Sequence, residues 1–268
     1  MSLVTKVSSA DDPRLSVYAD LRDMQLRKSL ESEHGLFMAE GHKIILRALE
    51  AGLVPRSFLV SPRWLEDLGP HIEDSSAEIF VLSEAEIETL TGFHVHRGAL
   101  AAFERPTPLA SAELLSHHRR ILVLEDLADH TNIGAIFRTA AALGWDAILL
   151  SPRCADPWYR RAIKVSMGAV FSVPFAYVDD WYRLPAELKA AGFQSLAMTL
   201  APDSVDLDSL ELPAENKVAL IVGSEGHGLT AHWQAGATAR VTIPMREGID
   251  SLNVAASVAI ACWQLRHS

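Results

Sequence analysis

The sequence is poor in cysteine, carries no excess of basic residues and has no apolar run long enough to cross a membrane. Cys154 and Cys262 are the two cysteines among 268 residues, and they lie too far apart to form a paired motif. Two isolated cysteines are typical of packing residues in a protein of the reducing cytosol, and they do not indicate a disulfide framework. The apolar stretch from Val254 to Leu265 is too short to span a bilayer, and the chain starts with polar residues. A cytoplasmic protein is expected.

The excess of acidic residues limits the classes of partner. The chain has 24 Lys and Arg against 34 Asp and Glu, a formal net charge of −10, whereas broad, non-specific binding of nucleic acid needs clustered positive charge. Local basic groups such as Arg119–Arg120 and Arg160–Arg161 nevertheless occur, and each is either an ordinary solvated face or a contact with a polyanion. The 11 histidines are scattered, and His94 and His96 lack accompanying ligands, so no metal site is expected.

A shift in composition divides the chain. Between Glu104 and Ser116 two prolines and several small residues interrupt the apolar pattern, which indicates a linker. We therefore predict a small α/β domain over residues 1–112 and a second α/β domain over residues 113–268. The hydrophobic content of 49% is ample for a sizeable core.

Helices and strands alternate in the first half, as in a small α/β unit. The run Asp11–Pro13 pairs a capping aspartate with a proline and predicts a helix to about Leu30. Ser83 and Glu86 make a capping box for a helix that ends near Thr91. The other predicted elements are strands at Leu36 to Ala39, Ser57 to Val60, Glu78 to Leu82 and Ala99 to Phe103, and a helix from His42 to Ala51.

The second half alternates as well, and its strands are continuous apolar runs. Strands of this kind are typical of a parallel sheet that is covered on both faces. The predicted strands are Ile121 to Leu124, Ala147 to Leu150, Val173 to Tyr177, Ser195 to Thr199 and Val218 to Val222, and the predicted helices are Asn132 to Leu143, Pro157 to Met167 and Leu184 to Ala191.

The stretch from Val241 to Leu265 combines a strand, a polar turn and a helix. Asp250 or Ser251 is predicted to cap this helix, whose faces are almost all small or apolar, so we expect it to be buried. Polar groups in its first turn, Ser251 and Asn253, then face something other than bulk water. Because open α/β proteins bind ligands where a strand end feeds a helix N-terminus, we interpret the stretch as part of a ligand site.

Two further loops at predicted strand ends concentrate unusual residues. Asn132, Gly134 and Arg138 follow one strand, and Arg138 lies almost two helical turns after Asn132, so that both can project to one side. The loop Gly223 to Gly228 follows another strand in an order, G-x-x-G-x-G, that fits neither a dinucleotide loop nor a P-loop. We expect these glycines to admit a neutral, flat ligand.

The three loops are expected to gather at one edge of the sheet, because the carboxyl ends of parallel strands meet there. Each polar residue also has a plain structural explanation. Taken singly, Asn132 or Ser251 can be explained as a helix cap, and Glu225 as a solvated acid in a loop. These explanations remain open.

Three motifs in order resemble those of one enzyme class. N-x-G-x-x-x-R spans Asn132 to Arg138, V-G-S-E-G-x-G starts at Val222, and I-P-M-x5-S-L-N-V-A-A-S starts at Ile243. Together they resemble the motifs of the SpoU class of the SPOUT superfamily, which are S-adenosylmethionine-dependent RNA 2′-O-ribose methyltransferases. In the first half, F-x-x-E-G-x-x at Phe37 to Lys43 resembles part of the small RNA-binding domain of this class.

The resemblance implies a trefoil-knotted α/β fold, in which the chain after Val241 is threaded through an earlier loop. It also implies a homodimer and S-adenosylmethionine bound in the knot, largely through backbone groups and without a metal. The implied cofactor contacts are Gly223, Ile243 and Leu252. The implied catalytic residues are Asn132, Arg138, Glu225, Ser251 and Asn253.

The expected function is methyl transfer to a ribose 2′-hydroxyl of a structured tRNA or rRNA. Arginine stays protonated in proteins, so we interpret Arg138 as a group that orients the hydroxyl and stabilises the developing alkoxide. The alternative is a non-catalytic RNA-binding or assembly module on the same fold.

Overall fold

The structure is a computed structural model that describes residues 4–6, 12–21, 35–72, 75–95, 98–210, 212, 216–224, 226–248 and 251–266. It contains two compact units. One comprises Met1–Thr107 together with Trp158–Lys164, and the other comprises Pro108–Pro157 together with Val165–Ser268. The sequence pattern does not predict that Trp158–Lys164 belongs to the first unit. The division into functional domains after residue 112 stays a prediction.

The first unit contains a mixed sheet. Its strands are β1 Val4–Lys6, β2 Leu36–Glu40, β3 Pro55–Val60, β4 Glu78–Val81 and β5 Ala99–Glu104, and its helices include α1 His42–Glu50, α2 Pro62–Ile72 and α3 Glu84–Thr91. Within the described residues the strand order is β1-β4-β3-β5-β2. β4 runs parallel to β1 and β3, whereas β5 is antiparallel to β2 and β3.

The predicted first helix is the largest local error in this unit. The side chain of Asp12 accepts a hydrogen bond from the backbone of Arg14, as predicted for a cap, but Pro13–Tyr18 forms a 3-10 helix and the backbone is extended at Ala19. Leu15 and Tyr18 are both fully buried. Their spacing of three matches the 3-10 repeat, in which side chains at i and i+3 lie one above the other. The predicted continuation from residue 22 to about Leu30 lies outside the described residues.

Helix α2 is absent from the sequence prediction, and its prolines obscure it. Pro62 occupies its first position and Pro70 its last turn, and prolines usually mark a turn or a helix end. The buried residues Trp64, Leu68 and Ile72 nevertheless recur every four positions, which is the spacing of one helix face. The predicted capping box of α3 is confirmed, with Ser83 and Glu86 bonded reciprocally.

The segment Trp158–Lys164 packs on β2 within the first unit. The Trp158 and Phe37 rings lie 4.9 Å apart. The carboxylate of Glu40, with 4% of its side chain exposed, accepts hydrogen bonds from Lys164 at 2.9 Å and from Arg160 at 3.1 Å. A buried carboxylate is costly without such partners. The acidic residue of the F-x-x-E-G motif therefore has a structural role in this unit.

The second unit is built on a parallel sheet, as the apolar strands predict. Its strands are β6 Arg120–Leu124, β7 Ala147–Leu150, β8 Phe175–Tyr177, β9 Phe193–Met198, β10 Val205–Asp206, β11 Lys217–Val222 and β12 Ala239–Thr242. The helices of the second half are α4 Ser111–His117, α5 His130–Leu143, α6 Arg160–Val165, α7 Leu184–Ala190, α8 Ala231–Gly236 and α9 Val254–Gln264. Within the described residues the strand order is β10-β12-β9-β11-β6-β7-β8, and every pair is parallel.

This strand order positions the site. β6 and β7 are buried along their whole length, so helices cover both faces of the sheet. Because all strands run in one direction, the carboxyl ends of β12, β9, β11 and β6 are neighbours at a single edge. The prediction that the three motif loops gather at one edge is therefore confirmed.

Two boundaries in this half differ from the predicted ones. The linker between Glu104 and Ser116 already contains the start of α4. The helix predicted over Pro157 to Met167 is limited to α6, and Gly168 with a φ of 80° leads into a 3-10 turn. None of the helices formed by the described residues is both long and apolar enough to cross a membrane.

Candidate active site

The helix that carries the first motif has its own cap. Asp129 is the N-cap residue of α5, and its side chain accepts a hydrogen bond from the backbone of Thr131. Asn132 therefore lies inside the first turn and is not the cap. Its side chain is half-buried. The plain explanation of Asn132 as a capping residue is excluded by this geometry.

The third motif is joined to the first by a hydrogen bond. Asn253 caps α9, because its Oδ1 accepts from the backbone N–H groups of Ala255 at 3.0 Å and of Ala256 at 3.3 Å. Its Nδ2 donates to Oδ1 of Asn132 at 3.1 Å. Two residues that lie 121 positions apart are thus in direct contact at the sheet edge.

The predicted cap of α9 is wrong. Ser251 is exposed and precedes the helix by three positions, and Asp250 lies outside the described residues. The helix begins at Val254, so Asn253 is the residue whose side chain reaches the free N–H groups of the first turn. The sequence offers several capping residues in a row, and only the start of the helix decides among them.

Arg138 is an exposed side chain in the same helix as Asn132. It lies six positions further along α5, which is about 9 Å along a helix axis. Among the described residues it forms no hydrogen bond or ion pair. The structure therefore does not join Arg138 to the Asn132–Asn253 pair, but it leaves the guanidinium available to a ligand.

The glycine loop is folded tightly on itself. A Cβ placed on Gly223 would lie 2.3 Å from the backbone of Gly228. Gly226 and Gly228 have φ values of 89° and 64°, which glycine adopts at little cost, and the N–H of Gly228 donates to the carbonyl of Ser224 at 2.9 Å. The close approach that requires a glycine at position 223 is thus to the loop's own backbone. The expected approach of a ligand to this loop stays a prediction. Glu225 lies outside the described residues.

The remaining predicted cofactor contacts follow strand β12. Ile243 is the first residue after this strand and is half-buried, and Leu252, with 40% of its surface exposed, immediately precedes Asn253. Within the described part of the chain, the backbone groups of Ile243 and Leu252 make no hydrogen bond. They are therefore free to bind a ligand.

The turn after β6 has a strained and charged residue. Asp126 has a φ of 57°, which is unusual for a residue other than glycine. Ser151 donates to its Oδ1 at 2.8 Å, and Arg153 forms an ion pair with its Oδ2. Burial acts to raise the pKa of Asp126, but the bonds from Arg153 and Ser151 outweigh it, so this pKa is lowered. These contacts fix the turn that leads to the first motif.

Sequence reasoning missed two features of this edge. The loop after β9 belongs to it, because β9 lies between β11 and β12, and Leu200 in that loop is 59% exposed. Glu125, directly after β6, is 3% exposed and accepts hydrogen bonds from Thr230 and Trp181. An acid directly after an apolar strand is a visible signal for Glu125, whereas no local signal reveals the place of β9 in the sheet.

Helix α9 is buried on one face only. Val254, Val258 and Ala261 are buried against the unit, whereas Ile260 and Trp263 are 44% and 55% exposed. The expectation that the whole helix is buried is wrong for the single chain. An apolar composition does not tell how many neighbours a helix has, and in this chain α9 packs on α5 with one face.

Comparisons with known proteins agree with the motifs. The sequence model of the SpoU rRNA Methylase family matches residues 119–263. The chain belongs to this family. The resemblance of the three motifs to the SpoU class is thereby confirmed, and the coarse function is that of an RNA methyltransferase. In the described part of the SpoU chain, no group of three or more His, Cys, Asp or Glu residues is arranged to hold a metal ion.

Relatives in the SpoU family cover nearly the whole chain. An uncharacterized tRNA/rRNA methyltransferase of Mycobacterium bovis is 38% identical over 266 residues, which is 99% of this chain and 92% of the relative. A 23S rRNA (guanosine(2553)-2′-O)-methyltransferase of Bacillus subtilis is 27% identical over 245 residues, which is 89% of this chain and 92% of the relative. The chain is also similar to the AdoMet-bound rRNA methyltransferase from Sinorhizobium meliloti, with a TM-score of 0.84, 27% identity and 97% of both chains covered. This likeness confirms the α/β fold.

Proposed function

We propose that this SpoU-family chain transfers the methyl group of S-adenosylmethionine to a ribose 2′-hydroxyl of a structured tRNA or rRNA. The observation that carries the proposal is the hydrogen bond between Asn132 and Asn253, which unites the first and third motifs at the edge where the glycine loop ends β11. The Bacillus subtilis relative, whose name specifies 2′-O methylation of 23S rRNA, supports the choice of acceptor atom.

The residues of this edge fit the cofactor. Ile243 and Leu252 offer backbone donors and acceptors that no other described residue uses, and Gly223 lies at the end of β11, which β9 separates from β12. Leu200 and Leu252 add exposed apolar side chains in loops that leave the same edge, as expected against the faces of a flat adenine ring. S-adenosylmethionine, when bound there, supplies an electrophilic methyl carbon on sulfur. The Sinorhizobium meliloti structure, described as AdoMet-bound, supports this assignment.

The task of the protein side chains is to position and activate the ribose hydroxyl. Methyl transfer needs an oxygen nucleophile in line with the methyl carbon, so orientation supplies much of the rate. We assign Arg138 to the hydroxyl and its neighbouring phosphate, where a planar, protonated guanidinium donates hydrogen bonds and stabilises the developing alkoxide. Asn132, Ser251 and Asn253 are assigned to the same reacting end, together with Glu225.

The proposal has three further parts, which are a substrate-binding domain, a trefoil knot and a homodimer. Residues 1–112 form the substrate-binding domain, and the second domain carries the cofactor in a trefoil knot. β12 lies between β9 and β10, which are consecutive in the chain, and such a strand order is compatible with threading. The third part is a homodimer.

The exposed face of α9 supports the homodimer. Ala256, Ile260 and Trp263 recur at helical spacing and are all exposed, and apolar patches of this kind mark association sites. We expect sedimentation velocity to show a dimer, and Ile260→Glu to shift it to monomer. Val54→Glu, which changes another exposed aliphatic residue, in the first unit, serves as the control. A wild-type monomer at micromolar concentration would contradict this part of the proposal.

The activity itself is tested with labelled cofactor. Purified protein, methyl-labelled S-adenosylmethionine and total RNA from cells lacking the protein are combined, and label in RNA is counted. We expect transfer to one or a few RNA species. Retention of RNA on the protein with no transfer would overturn the proposal and favour the alternative, a non-catalytic RNA-binding module.

A further inference from the structure

Glu125 is a buried acid to which the reaction outlined above gives no task. It is the first residue after β6, and its backbone N–H donates to the carbonyl of Val222, the last residue of β11, at 2.8 Å. Only 3% of its surface is exposed. A carboxylate in such a place loses most of its hydration and is tolerated only where other donors replace the water.

Three donors meet this carboxylate. The backbone N–H of Thr230 donates to Oε2 at 2.8 Å, and the hydroxyl of Thr230 donates to Oε1 at 2.9 Å. The indole N–H of Trp181, in the loop after β8, donates to Oε1 at 3.1 Å. Hydrogen bonds to a carboxylate are stronger than those between neutral groups. One side chain therefore connects the ends of β6 and β8 with the residue that precedes α8.

The same contacts fix both ends of the glycine loop, defined as residues 223–230, of which position 225 is outside the described residues. The loop begins next to the bond between Glu125 and Val222, and it ends at Thr230, which is held by the carboxylate. Between these ends the backbone of Gly223 lies against that of Gly228. The conformation of the loop thus depends on Glu125 at its base.

We propose that Glu125 is a positioning residue for the cofactor, holding the glycine loop in the conformation that presents Gly223. The inference rests on the proposed function, in which Gly223 contacts S-adenosylmethionine. Glu125 is too deeply buried to contact the ligand and acts through Thr230. An amide at this position cannot accept all three hydrogen bonds, because its NH2 group is a donor that faces other donors.

The test is titration calorimetry with S-adenosylmethionine, at a temperature where circular dichroism shows every variant fully folded. Loss of a hydrogen bond to a charged group is expected to weaken cofactor binding by about tenfold in Glu125→Gln. In steady-state assays the KM for S-adenosylmethionine rises by a similar factor, while kcat at saturating cofactor and the KM for RNA change by less than about threefold. Glu113→Gln, the same change at an exposed position of α4, is the matched control and leaves all values unchanged.

The outcomes separate this inference from the proposed function. If the wild-type protein binds no S-adenosylmethionine, the proposed function and this inference both fail. If the wild type binds it and Glu125→Gln binds equally well, the inference alone is overturned. Should Glu125→Gln not fold, Thr230→Val decides, because it keeps the backbone bond and removes the hydroxyl. A weaker cofactor affinity in that variant supports the inference, and an unchanged affinity overturns it.

Discussion

Two charged side chains near the motif loops, Glu125 and Arg138, differ in burial and in hydrogen bonding. Around buried Glu125, both carboxylate oxygens accept bonds. Arg138, in contrast, is exposed and has no partner among the described residues. Buried polar atoms must be satisfied because leaving one unpaired costs about 1–3 kcal/mol. The difference separates Glu125, which shapes the glycine loop in our proposal, from Arg138, which remains available to a substrate.

The largest expected effect is the loss of activity on changing Arg138. Replacing it by Ala or Lys is expected to lower kcat by about 10²–10³, the range found when one donor to a developing oxyanion is removed. Lys keeps the charge and loses the planar fork. Thermal unfolding is expected to change little, because exposed residues without partners contribute within about 0.5 kcal/mol. Methyl-transfer kinetics and calorimetric melting provide the two readouts.

Arg183→Ala is the control, since Arg183 is also exposed but lies outside the three motifs. Near-normal kcat in Arg138→Lys would refute the geometric role given to this side chain. A large drop in melting temperature would show instead that Arg138, like Glu125, has a structural role, and the comparison would fail.

The next effect is expected at Gly223. A methyl group there meets the backbone of Gly228 at 2.3 Å, so Gly223→Ala forces the loop to move and is expected to lower the free energy of unfolding by about 1–3 kcal/mol. Cofactor affinity is expected to fall with it. Gly192→Ala, where a Cβ meets no atom within 4 Å although φ is 82°, is expected to lose stability without losing cofactor affinity. Equal cofactor affinity in Gly223→Ala would contradict the assignment of this loop to the site.

The smallest effects separate the two tasks of Asn253. Asn253→Ala removes the cap of α9 and is expected to cost about 1 kcal/mol of stability. Asn253→Asp keeps the acceptor for Ala255 and Ala256 and adds a negative charge that suits a helix N-terminus, so its stability is expected to match the wild type. It lacks the donor to Asn132, and kcat is expected to fall by about tenfold. An Asn253→Asp variant with full activity would show that Asn253 acts only as a helix cap.

Local signals account for much of what the sequence predicts correctly. The capping box at Ser83 and the end of helix α5 at Leu143 depend on neighbouring residues, and both predictions are confirmed. The gathering of the three loops needs one non-local assumption, that the strands are parallel. Their continuous apolar character supplies it.

Contacts between distant segments account for what was missed. The hydrogen bond between Asn132 and Asn253 and the place of β9 between β11 and β12 depend on strand order, which no local pattern encodes. The exposed face of α9 was missed because an apolar sequence does not tell which face of a helix contacts a neighbouring helix and which face contacts solvent. The cap of α9 was misplaced because Asp250, Ser251 and Asn253 are all good capping residues.

The most direct test is to identify the methylated nucleoside. RNA treated with the protein and S-adenosylmethionine is digested to nucleosides and analysed by mass spectrometry, beside RNA treated with Arg138→Ala. The account predicts a nucleoside whose extra methyl group remains on the ribose fragment, and its loss in the variant. A methyl group on the base fragment, or equal methylation by the variant, would contradict it.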